Sequence, residues 1–211
     1  MTRCFTVLCI IAASGTQPLA AQVRLSGGVT VNQVRVRSDA SGVMERMSAA
    51  GLGLELAARR GIVRLELEYL QANLSPGDPL VLRRDMSEAA IFLGIEPLDW
   101  LHLATGVHRR HFETDAGEQR WTMWEVRVRA QRALLATLAD GYVELRPVLA
   151  AANVPGDWGS GFGGEAGVTA RPPGLPFAVR LGYRIERYSL DSGGRTETTD
   201  GIVLSIVTGL P

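Results

Sequence analysis

The sequence predicts an all-β protein, a closed antiparallel up-and-down transmembrane β-barrel of about ten strands, with eight as the alternative count. Three observations carry this. No apolar run approaches the roughly 18 residues that a membrane-spanning helix needs. From residue 23 onward apolar and polar residues alternate with period two in stretches of strand length. The polar face of that alternation holds charges and small residues together, a mixture that suits a narrow lumen better than a watery surface.

The clearest element is Ile62-Val63-Arg64-Leu65-Glu66-Leu67-Glu68-Tyr69. Val63, Leu65, Leu67 and Tyr69 share one face, and Arg64, Glu66 and Glu68 the other. A strand sorts these side chains, whereas a helix would scatter the charges around its circumference. Segments of the same kind fall at about 23–37, 46–59, 62–73, 86–96, 100–113, 120–133, 141–153, 161–171, 177–189 and 199–209. Short connections at Arg60-Gly61, Pro97 to Asp99, Leu138 to Asp140 and Pro172 to Pro176 alternate with longer polar ones at 38–45, 74–85, 115–119, 154–160 and 190–198. That alternation places both chain ends on the short-turn side and makes the strand number even. Pro147 interrupts Glu144 to Leu149. Because a closed barrel has no free edge to shelter a missing donor, a bulge is expected there, with the inward and outward assignments from Val148 to Asn153 shifting by one.

Residues 1–21 read as a cleavable signal peptide, with Arg3 as the basic region, Phe5 to Ala13 as the apolar region and cleavage after Ala21. Residues 22–211 then form one barrel domain. Cys4 and Cys9 both leave with the leader, so disulfide scaffolding is excluded. Leu8 before Cys9 is too large for a lipoprotein site. The whole chain carries 22 basic residues, all Arg, against 22 acidic ones, a formal net charge of zero. This gives no uniform positive field for nucleic acid.

Sorting by face puts Leu52, Leu54, Leu56, Ile91, Leu93, Ile95, Val126, Val128, Leu181, Ile202 and Leu204 on an almost charge-free side, the one expected to meet lipid. Tyr69, Trp100 and Trp124 lie near strand ends on that side, as membrane-interface aromatics. The other side carries Glu55, Arg59, Arg64, Glu66, Glu68, Glu96, Glu125, Arg127, Arg129, Glu144, Arg146, Glu165, Arg180, Arg184 and Glu186, expected as a paired network filling the lumen. Gly51, Gly53, Gly94, Gly106, Gly163, Gly167 and Gly182 share that parity and leave room for it.

On these features the chain resembles the small bacterial outer-membrane β-barrel proteins, the broad class that includes the OmpA transmembrane domain and OmpX-like barrels. The resemblance covers residues 23–211 as a pattern of dyad repeats and turns. It implies an outer-membrane location, contact with outer-membrane lipid, recognition by the barrel-assembly machinery and contact with surface ligands through the loops. Members commonly end in an aromatic residue, whereas this chain ends in Leu210-Pro211. The function expected is a non-enzymatic structural or surface-contact role. The alternatives are a narrow porin-like channel, a soluble exported β-barrel that binds a ligand, and a barrel hydrolase acting on lipid A or peptide. For the hydrolase, His108 with Arg110 sits where lipid A deacylases have a His and Ser pair, and His111 with Asp115 loosely matches the rim pairs of omptin proteases. A lone lumen His102 at no ligand spacing argues against a metal centre, and no cofactor is expected. Trp121 and Trp158, near long connections, read either as exposed recognition residues or as rim packing.

Overall fold

The computed structural model describes residues 23–40, 42–77, 83–114, 117–135, 138–191 and 194–209. The expected leader, Asp115 and the terminal Leu210-Pro211 lie outside them. Ten strands run in chain order: β1 (Arg24–Ala40), β2 (Val43–Arg60), β3 (Val63–Pro76), β4 (Arg84–Leu98), β5 (Leu101–Thr114), β6 (Gly117–Leu135), β7 (Ala139–Ala152), β8 (Trp158–Ala170), β9 (Phe177–Leu190) and β10 (Arg195–Thr208). Each pairs antiparallel with its sequence neighbours. β1 closes on β10 from Gly27 opposite Thr208 to Ala40 opposite Arg195, so the barrel has no edge.

The strands are longer than the alternation alone suggests, because polar residues assigned to loops continue the ladder. Ser38 to Ala40 pair with Val43 to Glu45, and Glu113 pairs with Glu118. The asymmetry between the two rims is therefore largely an asymmetry of strand extension: on the loop side the strands run on past the apolar belt as a polar sleeve. A two-stranded ribbon satisfies its own backbone donors and acceptors, which an eight-residue polar loop would have to give to water.

The bulge near Pro147 is present one turn of the pleat away. Glu125 is opposite Val148 while Trp124 is opposite Ala150, leaving Leu149 as the extra residue. Leu149 and Ala150 consequently both face outward and Ala151 turns inward, the shift by one that Pro147 implied.

The barrel is apolar outside and polar inside. Leu52, Leu54, Leu56, Leu65, Leu67, Ile91, Leu93, Ile95, Val143, Leu145, Leu181, Ile185, Ile202, Leu204 and Ile206 are all exposed on the outer wall. A soluble protein would bury this set. A belt of this composition that runs round the strands is the surface a bilayer core covers.

Candidate functional site: a two-layered lumen

Alternation delivers every second side chain of ten strands to the interior, and small residues decide which large ones fit. A Cβ on Gly94 would meet His102 Nε2 at 2.5 Å, one on Gly182 would meet the Tyr142 hydroxyl at 2.5 Å, and one on Gly106 would meet Phe92 Cδ1 at 2.7 Å. The lumen glycines are thus the slots into which the imidazole and phenyl rings from the neighbouring strand, and the phenol from two strands away, fold.

The layer toward the short turns is ionic. Glu96 bridges Arg59 at 2.7 Å and Arg64 at 3.3 Å, and Arg64 also donates to Glu66 at 2.6 Å. Arg127 donates to Glu68 at 3.0 Å and to Glu66 at 3.2 Å, and its guanidinium carbon lies 3.7 Å from the centre of the Phe92 ring. Arg146 bonds Glu144 and approaches Glu165 at 3.6 Å and Glu186 at 3.7 Å. Arg184 donates to Glu165 at 2.9 Å, Tyr142 donates to the same carboxylate at 2.7 Å, and Arg129 stacks over Tyr142. Arg180 bonds Glu55, which also accepts from Thr30 at 2.9 Å. Planar guanidinium groups suit this crowding because one fork can serve two carboxylates at once.

The structure thus places all fifteen of the network residues read from the sequence inside the barrel. It joins to them a further tier toward the loop side. Arg110, whose side chain has no exposed surface, donates to Glu88 at 2.6 Å, bonds Glu186, and lies 3.9 Å from Glu197. His108 sits between Glu125, 2.9 Å from its Nδ1, and Glu88, 3.7 Å from its Nε2. Parity points Glu88 and Arg110 inward, whereas Glu197 falls in the polar connection expected at 190–198 and has no predicted facing.

Beyond that tier, toward the loop side, the interior turns apolar. Val34, Val36, Met47, Leu70, Ala72, Leu74, Met86, Phe112, Trp121, Met123, Tyr188 and Leu190 form one buried cluster. Trp121 is 0% exposed and packs edge-on against Phe112 and Tyr188, with ring centres 5.8 and 5.7 Å apart. Trp158 packs on the other side of Tyr188. Of the two readings for Trp121 and Trp158, the structure takes the packing one. A cavity of about 330 Å³ remains on the short-turn side, lined by Arg59, Arg64, Glu66, Arg129, Arg171 and neighbouring charges. The interior is a charged cup with an apolar lid.

The aromatics on the outer wall divide between two levels. Tyr69, Trp100 and Trp124 are 45%, 53% and 55% exposed. Trp100 lies in the β4–β5 turn. Tyr69 and Trp124 lie within longer strands than expected, at the level where Leu67 and Val126 give way to Gln71 and Thr122.

The candidate hydrolase groups are not brought together. His108 is enclosed in the ionic tier, while His111 points outward, 3.5 Å from Glu118. Among the described residues no group of three or more His, Cys, Asp or Glu side chains is arranged to hold a metal ion.

These features define a transmembrane up-and-down barrel with a filled interior, the fold of the small outer-membrane β-barrel proteins. No protein-family model matches the chain, and no curated protein matches it. Among solved structures, the translocator domain of the autotransporter NalP from Neisseria meningitidis is similar at 8% identity, with a TM-score of 0.51 over 89% of this chain and 88% of that one. The CymD monoaromatic hydrocarbon channel aligns at 5% identity and a TM-score of 0.43 over 89% and 88% of the two chains. Neisserial surface protein A aligns at 9% identity and 0.39 over 87% and 97%. Likeness at this level of identity is likeness of fold.

Proposed function

We propose that the protein is an exported, non-enzymatic outer-membrane barrel that passes no solute and serves as a structural or surface-contact element. The observation that carries this reading is the apolar layer closing the loop end of the lumen over a network of paired charges. A channel must keep a continuous hydrated path, and Trp121, Phe112, Tyr188 and Leu190 fill the place where that path would run. A hydrolase needs a base positioned against a nucleophile or water that substrate can reach; His108 is enclosed by Glu88 and Glu125 instead. The belt supports outer-membrane lipid as the surrounding medium and the barrel-assembly machinery as the route in, and the polar sleeve beyond the belt is what surface ligands would meet.

Two measurements test the proposal. The folded protein should fractionate with outer membranes and migrate differently in detergent gels before and after heating. Reconstituted into planar bilayers it should give no stable single-channel steps. Steady conductance would replace this reading with the narrow channel, and recovery from the soluble periplasmic fraction would replace it with the soluble ligand-binding barrel.

A further inference from the structure

Like-charged arginines face each other across neighbouring strands at two places, one inside the barrel and one outside, and the chain treats them differently. Inside, Arg59 is opposite Arg64, and Glu96 bridges both. Outside, Arg46 is opposite Arg37 in the sleeve beyond the apolar belt; Arg37 pairs with Asp200 at 2.9 Å, and among the described residues no acidic side chain bridges the two arginines. Among the described residues the Arg46 guanidinium reaches only the Met44 sulfur. The same outward row continues through Thr198 on β10 to Arg187 on β9, for which no ion pair is found among the described residues. One row nearer the belt, Arg35 lies opposite Asp200. Asp200 is held by Arg35, by Arg37 at 2.9 Å and by the Tyr183 hydroxyl at 2.8 Å, which leaves its side chain only 2% exposed although it points outward. The remaining acid on this face is Asp39, a row farther out. Four arginines thus stand against two aspartates, one already enclosed.

Like charges directly opposite one another destabilise a sheet unless a counter-ion sits between them. Inside the barrel Glu96 serves both arginines; outside, Asp200 serves Arg37, and the surroundings must serve Arg46. On β9 Arg187 lies one same-face step above Ile185 and on β10 Thr198 lies two steps above Ile202, whereas on β1 and β2 Gln33, Arg35, Ala50 and Ser48 stand between the row and the belt residues Val31 and Leu52. Strands are about 4.8 Å apart, so Arg46 to Arg187 spans roughly 14 Å, about the length of a disaccharide.

We propose that the outward row Arg46, Arg37, Thr198 and Arg187, on the wall shared by β2, β1, β10 and β9, binds the phosphate groups of a phosphorylated glycolipid of the surrounding leaflet. The guanidinium forks hold the phosphates as bidentate ion pairs, the Thr198 hydroxyl donates between them, and the acyl chains lie along the belt below. This rests on the outer-membrane reading, with the loop side outward.

The test is native mass spectrometry of the full folded chain in detergent micelles, titrated with bis-phosphorylated lipid A or with its dephosphorylated form, after heat-shifted migration has shown each preparation to be folded. The wild type should bind the phosphorylated lipid about tenfold more tightly or better, the factor expected for a single charge-assisted contact. R37Q/R46Q/R187Q should lose that preference. R120Q, which removes an outward arginine on the far wall of the barrel that is already paired with Glu118 on its own strand, should keep it. Excess inorganic phosphate should leave the lipid adduct in place. Equal binding of the two lipids by wild type, a preference retained in the triple variant, or equal loss in R120Q would overturn the proposal. Full displacement by inorganic phosphate would assign the row to a free anion and overturn the lipid. Failure of the wild type to show a heat-shifted folded form would count against the membrane reading itself.

Discussion

Arg110 shows what a single buried charge does in this interior. Its guanidinium serves Glu88 and Glu186, lies near Glu197, and stacks 5.1 Å from the centre of the Tyr188 ring, where the ionic tier meets the apolar lid. Arg110→Ala leaves those carboxylates without their cation in a dry site, and breaking a buried pair from one side costs about 3–5 kcal/mol. The expected result is a lower urea midpoint for the folded form in lipid vesicles, with the heat-shifted band retained at low urea. Gly182→Val tests the slots: its side chain meets the Tyr142 hydroxyl and displaces it from Glu165, at a cost of about 1–3 kcal/mol by the same urea measurement. At this scale the sequence showed which way a charge points but not whom it meets. Parity alone sends Arg127 inward, yet its partners Glu66 and Glu68 lie some sixty positions away and three strands round the wall. Asp200 is the converse case. Its parity is outward, and its burial comes from Arg35 and Arg37 on a strand that is its neighbour only because the barrel closes.

At the scale of the strand, the belt and the sleeve divide each element into a lipid-facing stretch and a water-facing one. On β4, Ile91, Leu93 and Ile95 occupy the belt, while Ser87 and Asp85 continue the same face beyond it. Leu93→Arg puts a cation near the belt's middle, and about 2–4 kcal/mol of stability should be lost in a urea titration in vesicles. Ser87→Arg, on the same face but in the sleeve, should change the midpoint by less than about 1 kcal/mol. Equal effects would mean that the belt is placed wrongly. The strands' existence, facing and order were legible because period two is a strong signal over ten or more residues. Their ends were not, since Ser38, Asp39, Glu113 and Glu118 are polar residues that loops and solvated ribbons use equally. Pro147 was informative because a missing donor in a closed ladder has few remedies, and the extra residue at Leu149 is one of them.

For the whole molecule, closure is the property that the two layers set together. If the apolar lid is the barrier, the triple variant F112A/W121A/Y188A should convert a silent barrel into one giving measurable conductance in planar bilayers, while R59Q at the short-turn end should remain silent. A triple variant that stays silent would move the barrier down to the Arg110 tier. The sequence placed charge in the lumen but not the lid, because Trp121 and Met123 share parity with Glu125 and Arg127 on one strand, and nothing local separates a lid from a network. The separation emerges only when ten strands align their loop-side halves at one level.

The uneven interior also gives the barrel a direction of entry. Whichever end goes first must carry its inward face through hydrocarbon before the walls have closed around it. The loop end would lead with Val36, Leu74, Met86, Trp121 and Leu190, which lipid tolerates, and the short-turn end with Arg59, Arg64, Glu96 and Arg129, which it does not. For these inward residues the cheaper passage is loop end first, with Arg24 at the start of β1 and Thr208 at the end of β10 left on the trailing, short-turn side.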